Sequence, residues 1–173
     1  MIRSVTKEDY KSIEELTIEA FSKSEHGYNG EVEIIKKVRK LPDYSQNLEL
    51  VFIEGSNVVG HALLSPSWIL NQEDEVIREG LVLAPITVAP GKQGLGIGSK
   101  LIKELEGLTR DKKAFISILG DSSYYGRFGY KSASEFKVNA PFEVPEEYFM
   151  IKELSVDGLL NSEGTLKYNS AFD

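Results

Sequence analysis

Residues 88–98 read Val-Ala-Pro-Gly-Lys-Gln-Gly-Leu-Gly-Ile-Gly (VAPGKQGLGIG). Gly91, Gly94, Gly96 and Gly98 fall within eight residues, after an apolar run ending at Val88 and before a helical pattern. Three kinds of backbone cradle compete for this stretch. A dinucleotide fingerprint needs G-x-G-x-x-G, but here Gly94-x-Gly96-x-Gly98 is followed by Ser99, which puts the third glycine out of register. A triphosphate loop needs G-x-x-x-x-G-K-[ST]. Gly91 and Gly96 have that spacing, but Ile97-Gly98 stands where the lysine and hydroxyl belong. The third form is a pyrophosphate loop, Q/R-x-x-G-x-G/A, filled by Gln93, Gly96 and Gly98. Glycines admit positive φ and turn amides towards a ligand without a Cβ in the way. A helix starting near Gly98 adds its free N–H groups and the positive end of its dipole. Lys92 and Lys100 are positioned to add local charge.

Working outward, Ile2–Val5 reads as a strand. Thr6 with Asp9 reads as a capping box opening a helix whose buried stripe is Tyr10, Ile13, Leu16, Ala20 and Phe21. Ser22–Gly30 is a polar loop. Val32, Ile35, Val38 and Leu41 mark a second helix, ended by Pro42. Leu48–Glu54 and the run from Val58 towards Leu70 form a hairpin around Gly55-Ser56-Asn57. Val76–Val88 is the next strand, interrupted by Gly80 and Pro85. Leu101, Ile102, Leu105 and Leu108 mark a third helix. Ala114–Leu119 is an apolar strand suited to burial on both faces. A helical turn follows from Asp121 to Phe128, then strands over Tyr130–Val138 and Tyr148–Leu154. Residues 156–173 are weakly patterned and read as a tail packed on one domain spanning 1–155. The order β-α-α-β-β-β-α-β-α-β-β predicts a mixed α/β (α+β) sheet.

The chain of 173 residues is 41% hydrophobic, carries a net charge of −7 and contains no cysteine. The acidic balance argues against nucleic-acid and anionic-membrane partners. The lack of cysteine excludes disulfides, thiolate metal sites and cysteine nucleophiles. With only His26 and His61 present, no metal site is expected. Charged residues through the first twenty positions leave no signal-peptide core, and no apolar run approaches the ~20 residues of a membrane helix. A cytoplasmic protein, monomeric or homodimeric, is expected.

Two ordered motifs carry a family resemblance. The glycine loop is the first. The second, about thirty residues later, is Tyr124-Tyr-Gly-Arg-Phe-Gly-Tyr130 within Leu119-Gly-Asp-Ser-Ser-Tyr-Tyr-Gly-Arg-Phe-Gly-Tyr. With Val59-Gly-His-Ala-Leu-Leu-Ser-Pro66 and Glu147-Tyr-Phe-Met-Ile-Lys-Glu-Leu154, the chain resembles the Gcn5-related N-acetyltransferases (GNAT), bacterial YhbS-like subgroup, over residues 1 to 155. The resemblance implies a mostly antiparallel central sheet flanked by helices, splayed between strands four and five, and acetyl-CoA as co-substrate. It implies that the backbone of Ile86, Thr87 and Val88 pairs with the pantetheine arm, and that the amides of Gln93, Gly94, Leu95, Gly96, Ile97, Gly98 and Ser99 hold the pyrophosphate. Phe128 would line the arm, and Arg127 reaches a phosphate or is solvated. Tyr125 occupies the position of the general acid that protonates the departing thiolate, while Tyr124 packs.

The general base is unassigned. Relatives place a glutamate on the fourth strand, where this chain has Leu83-Ala84-Pro85. Glu79 lies too far upstream, Glu31 doubles as a helix N-terminal acid, and His61 reads as a satisfied core histidine. The expected activity is direct acetyl transfer to a primary amine, on a small molecule or a peptide, in a ternary complex. The alternative is a CoA-binding sensor or scaffold without turnover.

Overall fold

The computed structural model describes residues 1–173 in full. Packing divides the chain into two compact units, Met1–Ser65 with Ala84–Leu108 and Pro66–Leu83 with Thr109–Asp173.

The first unit opens with β1 (Ile2–Ser4), which pairs antiparallel with β2 (Glu49–Glu54). Between them lie α1 (Tyr10–Ser22) and α2 (Glu31–Val38). Asp9 Oδ2 accepts the Thr6 N–H at 2.8 Å, the acidic half of the expected capping box. Arg3 clamps the same carboxylate at 2.7 and 2.9 Å and holds it near 2, well below its usual range. Ile13 and Leu16 of α1 and Val32, Ile35 and Val38 of α2 are buried, at the helical spacing their sequence predicts. β2 turns through Gly55, at φ +64°, into β3 (Asn57–Leu70). The end of β4 (Val76–Val88) and nearly all of α3 (Ile97–Thr109) complete the unit. A Cβ on Gly60 of β3 would stand 2.7 Å from Ile97 Cγ2, so α3 packs this closely only over glycine.

In the second unit β3 turns through Asn71, whose Oδ1 accepts the N–H groups of Glu73 and Glu75, and returns as β4. β4 pairs in parallel with β5 (Phe115–Leu119) at Leu81↔Ile116 and Val82↔Ser117; that ladder goes no further, while β4 runs on to Val88. This is the splay expected between strands four and five. The Ala84–Pro85 peptide within β4 is cis. α4 (Ser122–Tyr125) follows β5. β8 (Phe149–Glu153) pairs antiparallel with both β5 and the two-residue β6 (Lys131–Ser132). Ile69, Phe115, Val138, Phe149, Ile151 and Leu166 form the buried cluster. The result is the mixed α/β architecture expected, antiparallel except for β4–β5 and the pairing of Val138–Asn139 with Gly164–Thr165.

Two segments differ from their sequence reading. Tyr130–Val138 is not one strand: β6 gives way to a 3₁₀ turn over Ala133–Phe136, then to β7 (Val138–Asn139). The buried residues are Tyr130, Ala133 and Val138, spaced by three and five, which no strand keeps on one face. Residues 156–173, read as a tail, contain β9 (Gly164–Tyr168), which pairs antiparallel with Ser67–Leu70 of β3 and in parallel with β7.

β9 fits because Gly164 has no side chain: a Cβ there would come within 2.1 Å of the Leu70 backbone oxygen. Backbone cannot step aside as a rotamer does, so Gly164→Ala must push β9 off β3. A loss of about 2 kcal/mol or more is expected, read as a lower Tm and an earlier urea midpoint than wild type.

Candidate active site

The glycine loop has the geometry its composition predicts. Gly94 and Gly96 sit at φ +79° and +83°, in the left-handed region where any Cβ costs about 1–2 kcal/mol. Nothing lies within 4 Å of where either Cβ would point, so the loop faces open space. Lys100 N–H donates to the Gly96 carbonyl at 3.1 Å, which makes Gly96 the N-cap of α3. The amides of Ile97, Gly98 and Ser99 therefore have no carbonyl one turn back within the helix. Gln93 to Gly96 are exposed, while Ile97 and Gly98 are buried as the helix enters the unit. Left-handed glycines, open space and a helix N-terminus together fit a pyrophosphate. The two lysines are engaged elsewhere: Lys92 Nζ pairs with Glu54 at 2.5 Å, and Lys100 Nζ lies 5.9 Å from the centre of the Phe52 ring.

Along the end of β4, Ile86 and Val88 are half-buried and Thr87 is buried. Gln93 Nε2 reaches back to the Val88 carbonyl at 3.4 Å, tying loop to strand. The first unit thus gathers Ile86, Thr87, Val88 and Gln93 to Ser99.

The second unit gathers Tyr125 and Phe128. Asp121 caps α4, accepting the Ser123 N–H at 2.8 Å and its hydroxyl at 2.7 Å. A Cβ on Gly120 would stand 2.4 Å from Tyr125 Cε2, so Gly120 makes room for the phenol ring. Tyr124 meets that ring edge-on at 4.9 Å. Burial, with Tyr124 adding to it, pushes the Tyr125 phenol up to about 12. Lys152 Nζ holds the Phe128 carbonyl at 2.6 Å. Arg127 is exposed and folded over the Tyr124 and Phe128 rings, 4.8 and 5.6 Å from their centres.

The acids and the histidine raised as bases are also placed. Glu79 is exposed and lies 3.6 Å from Lys113. Glu31 Oε2 accepts the Asn29 N–H at 2.8 Å, where α2 begins. His61 Nε2 lies 2.9 Å from Glu49 Oε1, and both residues are fully buried. Arg39 grips Glu49 through Nε at 3.1 Å and Nη2 at 2.5 Å, and the Tyr44 hydroxyl donates to it at 2.6 Å. Burial alone would raise the Glu49 carboxyl; the hydrogen bonds from His61, Arg39 and Tyr44 prevail and hold it near 2. Sequence reasoning missed this cluster. The available signal was a glutamate at an inward position of an apolar strand, in phase with Val51.

A strand freed of its neighbour and a glycine-capped helix beside it define an acetyltransferase domain, and the acetyltransferase (GNAT) domain family matches residues 1–133. The chain belongs to that family, within its YhbS-like subgroup, and is an acetyl-CoA-dependent acyltransferase. It is 28% identical over 144 residues to the uncharacterized N-acetyltransferase YjhQ of Escherichia coli K12, covering 82% of this chain and 76% of that one. A GNAT family acetyltransferase from Brucella melitensis, solved in complex with acetyl-CoA, is 30% identical and superposes with a TM-score of 0.76 over 100% of this chain and 97% of that one. The E. coli GNAT family N-acetyltransferase YhbS, solved in complex with CoA, shares the fold at 24% identity and a TM-score of 0.82, over 99% and 91% of the two chains.

Two outcomes follow from this geometry. Gly96→Ala puts a side chain in the left-handed region at the mouth of the cradle, and CoA affinity measured by calorimetry should fall about tenfold, the equivalent of about 1.4 kcal/mol. Glu49 contributes to acid stability. Its folded pKa lies below the ordinary 4.5, so its contribution is present above that value and lost as pH falls towards 2. Denaturant titrations across that window should show wild type losing about 3 kcal/mol that Glu49→Gln, already destabilised at pH 7, does not lose again.

Proposed function

We propose that the protein transfers the acetyl group of acetyl-CoA directly to a primary amine in a ternary complex. The left-handed glycine pair at the N-terminus of α3, facing open space, carries this reading. The bound thioester supplies an activated acyl carbon; the rest is the work of the chain. The amides from Gln93 to Ser99 hold the pyrophosphate and so fix the donor along its length. The backbone of Ile86, Thr87 and Val88 pairs with the pantetheine arm as a substitute strand. The Tyr125 hydroxyl donates to the departing sulfur. Phe128 packs against the arm. With no cysteine in the chain and no G-x-S-x-G elbow, an acyl-enzyme has no evident nucleophile.

The test follows CoA release from acetyl-CoA across a panel of amines, amino acids and peptides. Tyr125→Phe should lower kcat about 100-fold and leave CoA affinity within about twofold, because the ring stays and only the hydroxyl goes. Binding of acetyl-CoA without turnover on any acceptor would instead support a CoA-binding sensor or scaffold, a reading favoured by the lack of an acid from Leu83 to Val88. No binding of CoA would end both.

A further inference from the structure

Lys152 is a cation where the sheet pattern calls for an apolar side chain. β8 lies between β5 and β6, with Lys152 opposite Ile116 and Met150 opposite Ile118 on β5. Residues directly opposite each other share a face of the sheet. Ile116, Ile118 and Met150 are buried, so Lys152 continues a row of buried apolar residues, and it is itself half-buried. A lysine there has to lay its stem along apolar neighbours and find a partner for its ammonium. Departures of this kind from the pattern concentrate where a protein does its chemistry.

The ammonium ends on the segment that carries Tyr125 and Phe128. There α4 runs on into a 3₁₀ turn over Gly126–Phe128, and the whole is too short to hold itself in water. Asp121 caps its start, accepting the Ser123 N–H at 2.8 Å. At its end, Gly129 is left-handed at φ +90°, Gly129 N–H donates to the Gly126 carbonyl at 3.1 Å, and Tyr130 N–H donates to the Tyr125 carbonyl at 3.4 Å. Lys152 Nζ donates to the next carbonyl, that of Phe128, at 2.6 Å. A cation at the last carbonyl also complements the negative end of the segment. The lysine stem runs beside Gly129, where a Cβ would lie 3.5 Å from Lys152 Cε, and Nζ stands 5.7 Å from the centre of the Tyr130 ring. From Phe128 the order passes through rings. Phe128 lies 5.4 Å from Tyr124, Tyr124 lies 4.9 Å from Tyr125, and Tyr125 lies 6.2 Å from Tyr130, between centres. Burial and Tyr124 account for the raised Tyr125 phenol, so Lys152 acts on that residue through place and not through charge.

We propose that Lys152 is a positioning residue of the transfer: its ammonium clamps the Phe128 carbonyl and so fixes the Tyr125 hydroxyl where the departing sulfur needs it. This role rests on the acetyl-transfer reading given above. No proton moves to or from Lys152. The Tyr125 hydroxyl gives its proton to the sulfur and regains one from solvent; Lys152 supplies the distance and angle at which the hydroxyl is presented.

The test uses the full chain and one fixed acceptor amine. Lys152→Met keeps the stem and replaces the ammonium with an apolar end, which the row of Ile116, Ile118 and Met150 accepts. Tm should therefore hold or rise, while kcat falls about tenfold. The Kd for acetyl-CoA should stay within about threefold, because the lost interaction serves the step and not the binding. Lys152→Met combined with Tyr125→Phe should be no slower than Tyr125→Phe alone, since the clamp acts through the hydroxyl that the second change removes. In the ligand-free protein, amide exchange at Gly129 and Tyr130 should quicken in Lys152→Met. Wild-type kcat in folded Lys152→Met would overturn the proposal. So would a kcat loss matched by a loss of donor affinity, a Tm lowered by more than about 4 °C, or rate losses that multiply in the double variant. If the wild type acetylates no amine, the acetyl-transfer reading fails by itself. Amide exchange then decides the clamp: unchanged rates at Gly129 and Tyr130 overturn it, and faster rates uphold it.

Discussion

Glu49 is a carboxylate without contact with water, and the first unit is arranged around keeping it charged. Its partners come from three places: Arg39 just past α2, Tyr44 in the connection to β2, and His61 on β3. Removing any one leaves a buried charge or polar group without its complement, which costs far more than the pair gains over an apolar substitute. The same cluster fixes register. His61 lies opposite Val51, so Glu49 is its diagonal neighbour on one face of the β2–β3 pair. A slip of one residue would send Glu49 to the opposite face, where Gly60 meets α3. Charge and apolar alternation thus specify the same pairing.

At the glycine loop, proposed above to hold the pyrophosphate, the logic is reversed. There the positive potential comes from backbone, since Lys92 is paired with Glu54 and Lys100 lies against Phe52. Amides held by left-handed glycines at a helix start lose no side-chain entropy on binding and cannot swing away. Such a field is short-ranged, falling off within about a Debye length of ~8–10 Å. Such a cradle would let a protein with a net charge of −7 hold a polyphosphate. A basic surface would attract anions of every kind; a backbone cradle selects one that fits.

The parts of the structure that were legible in the sequence are those set by single residues or by periodicity. Gly94 and Gly96 announce positive φ because other residues pay heavily for it. The stripes of α1 and α2 follow from 3.6-residue spacing. The role proposed for Tyr125 comes only from the motif around it, because an aromatic in a helical turn is otherwise core. What stayed hidden depends on long-range meetings. The strand at Gly164–Tyr168 owes its place to an alignment with Ser67–Leu70 nearly a hundred positions away, and its own alternation is weak. The Glu49 cluster required the β2–β3 register and the end of α2 to be known together. His61 read as a satisfied core histidine, and half of that reading holds: Nε2 is satisfied and Nδ1 is not.

Tyr125 changes its meaning once its surroundings are known. An ordinary phenol near 10 would stand not far above a thiol near 8.5. Held at about 12, the Tyr125 hydroxyl is a poorer acid than the thiol it would serve, so early proton loss is disfavoured. In the proposed transfer it would offer a hydrogen bond that strengthens only as negative charge gathers on sulfur. An interaction that grows between ground state and transition state is the kind that raises kcat; one present throughout would only tighten binding. In the proposed transfer, burial of Tyr125 beside Gly120 would keep its proton in place until the thiolate forms.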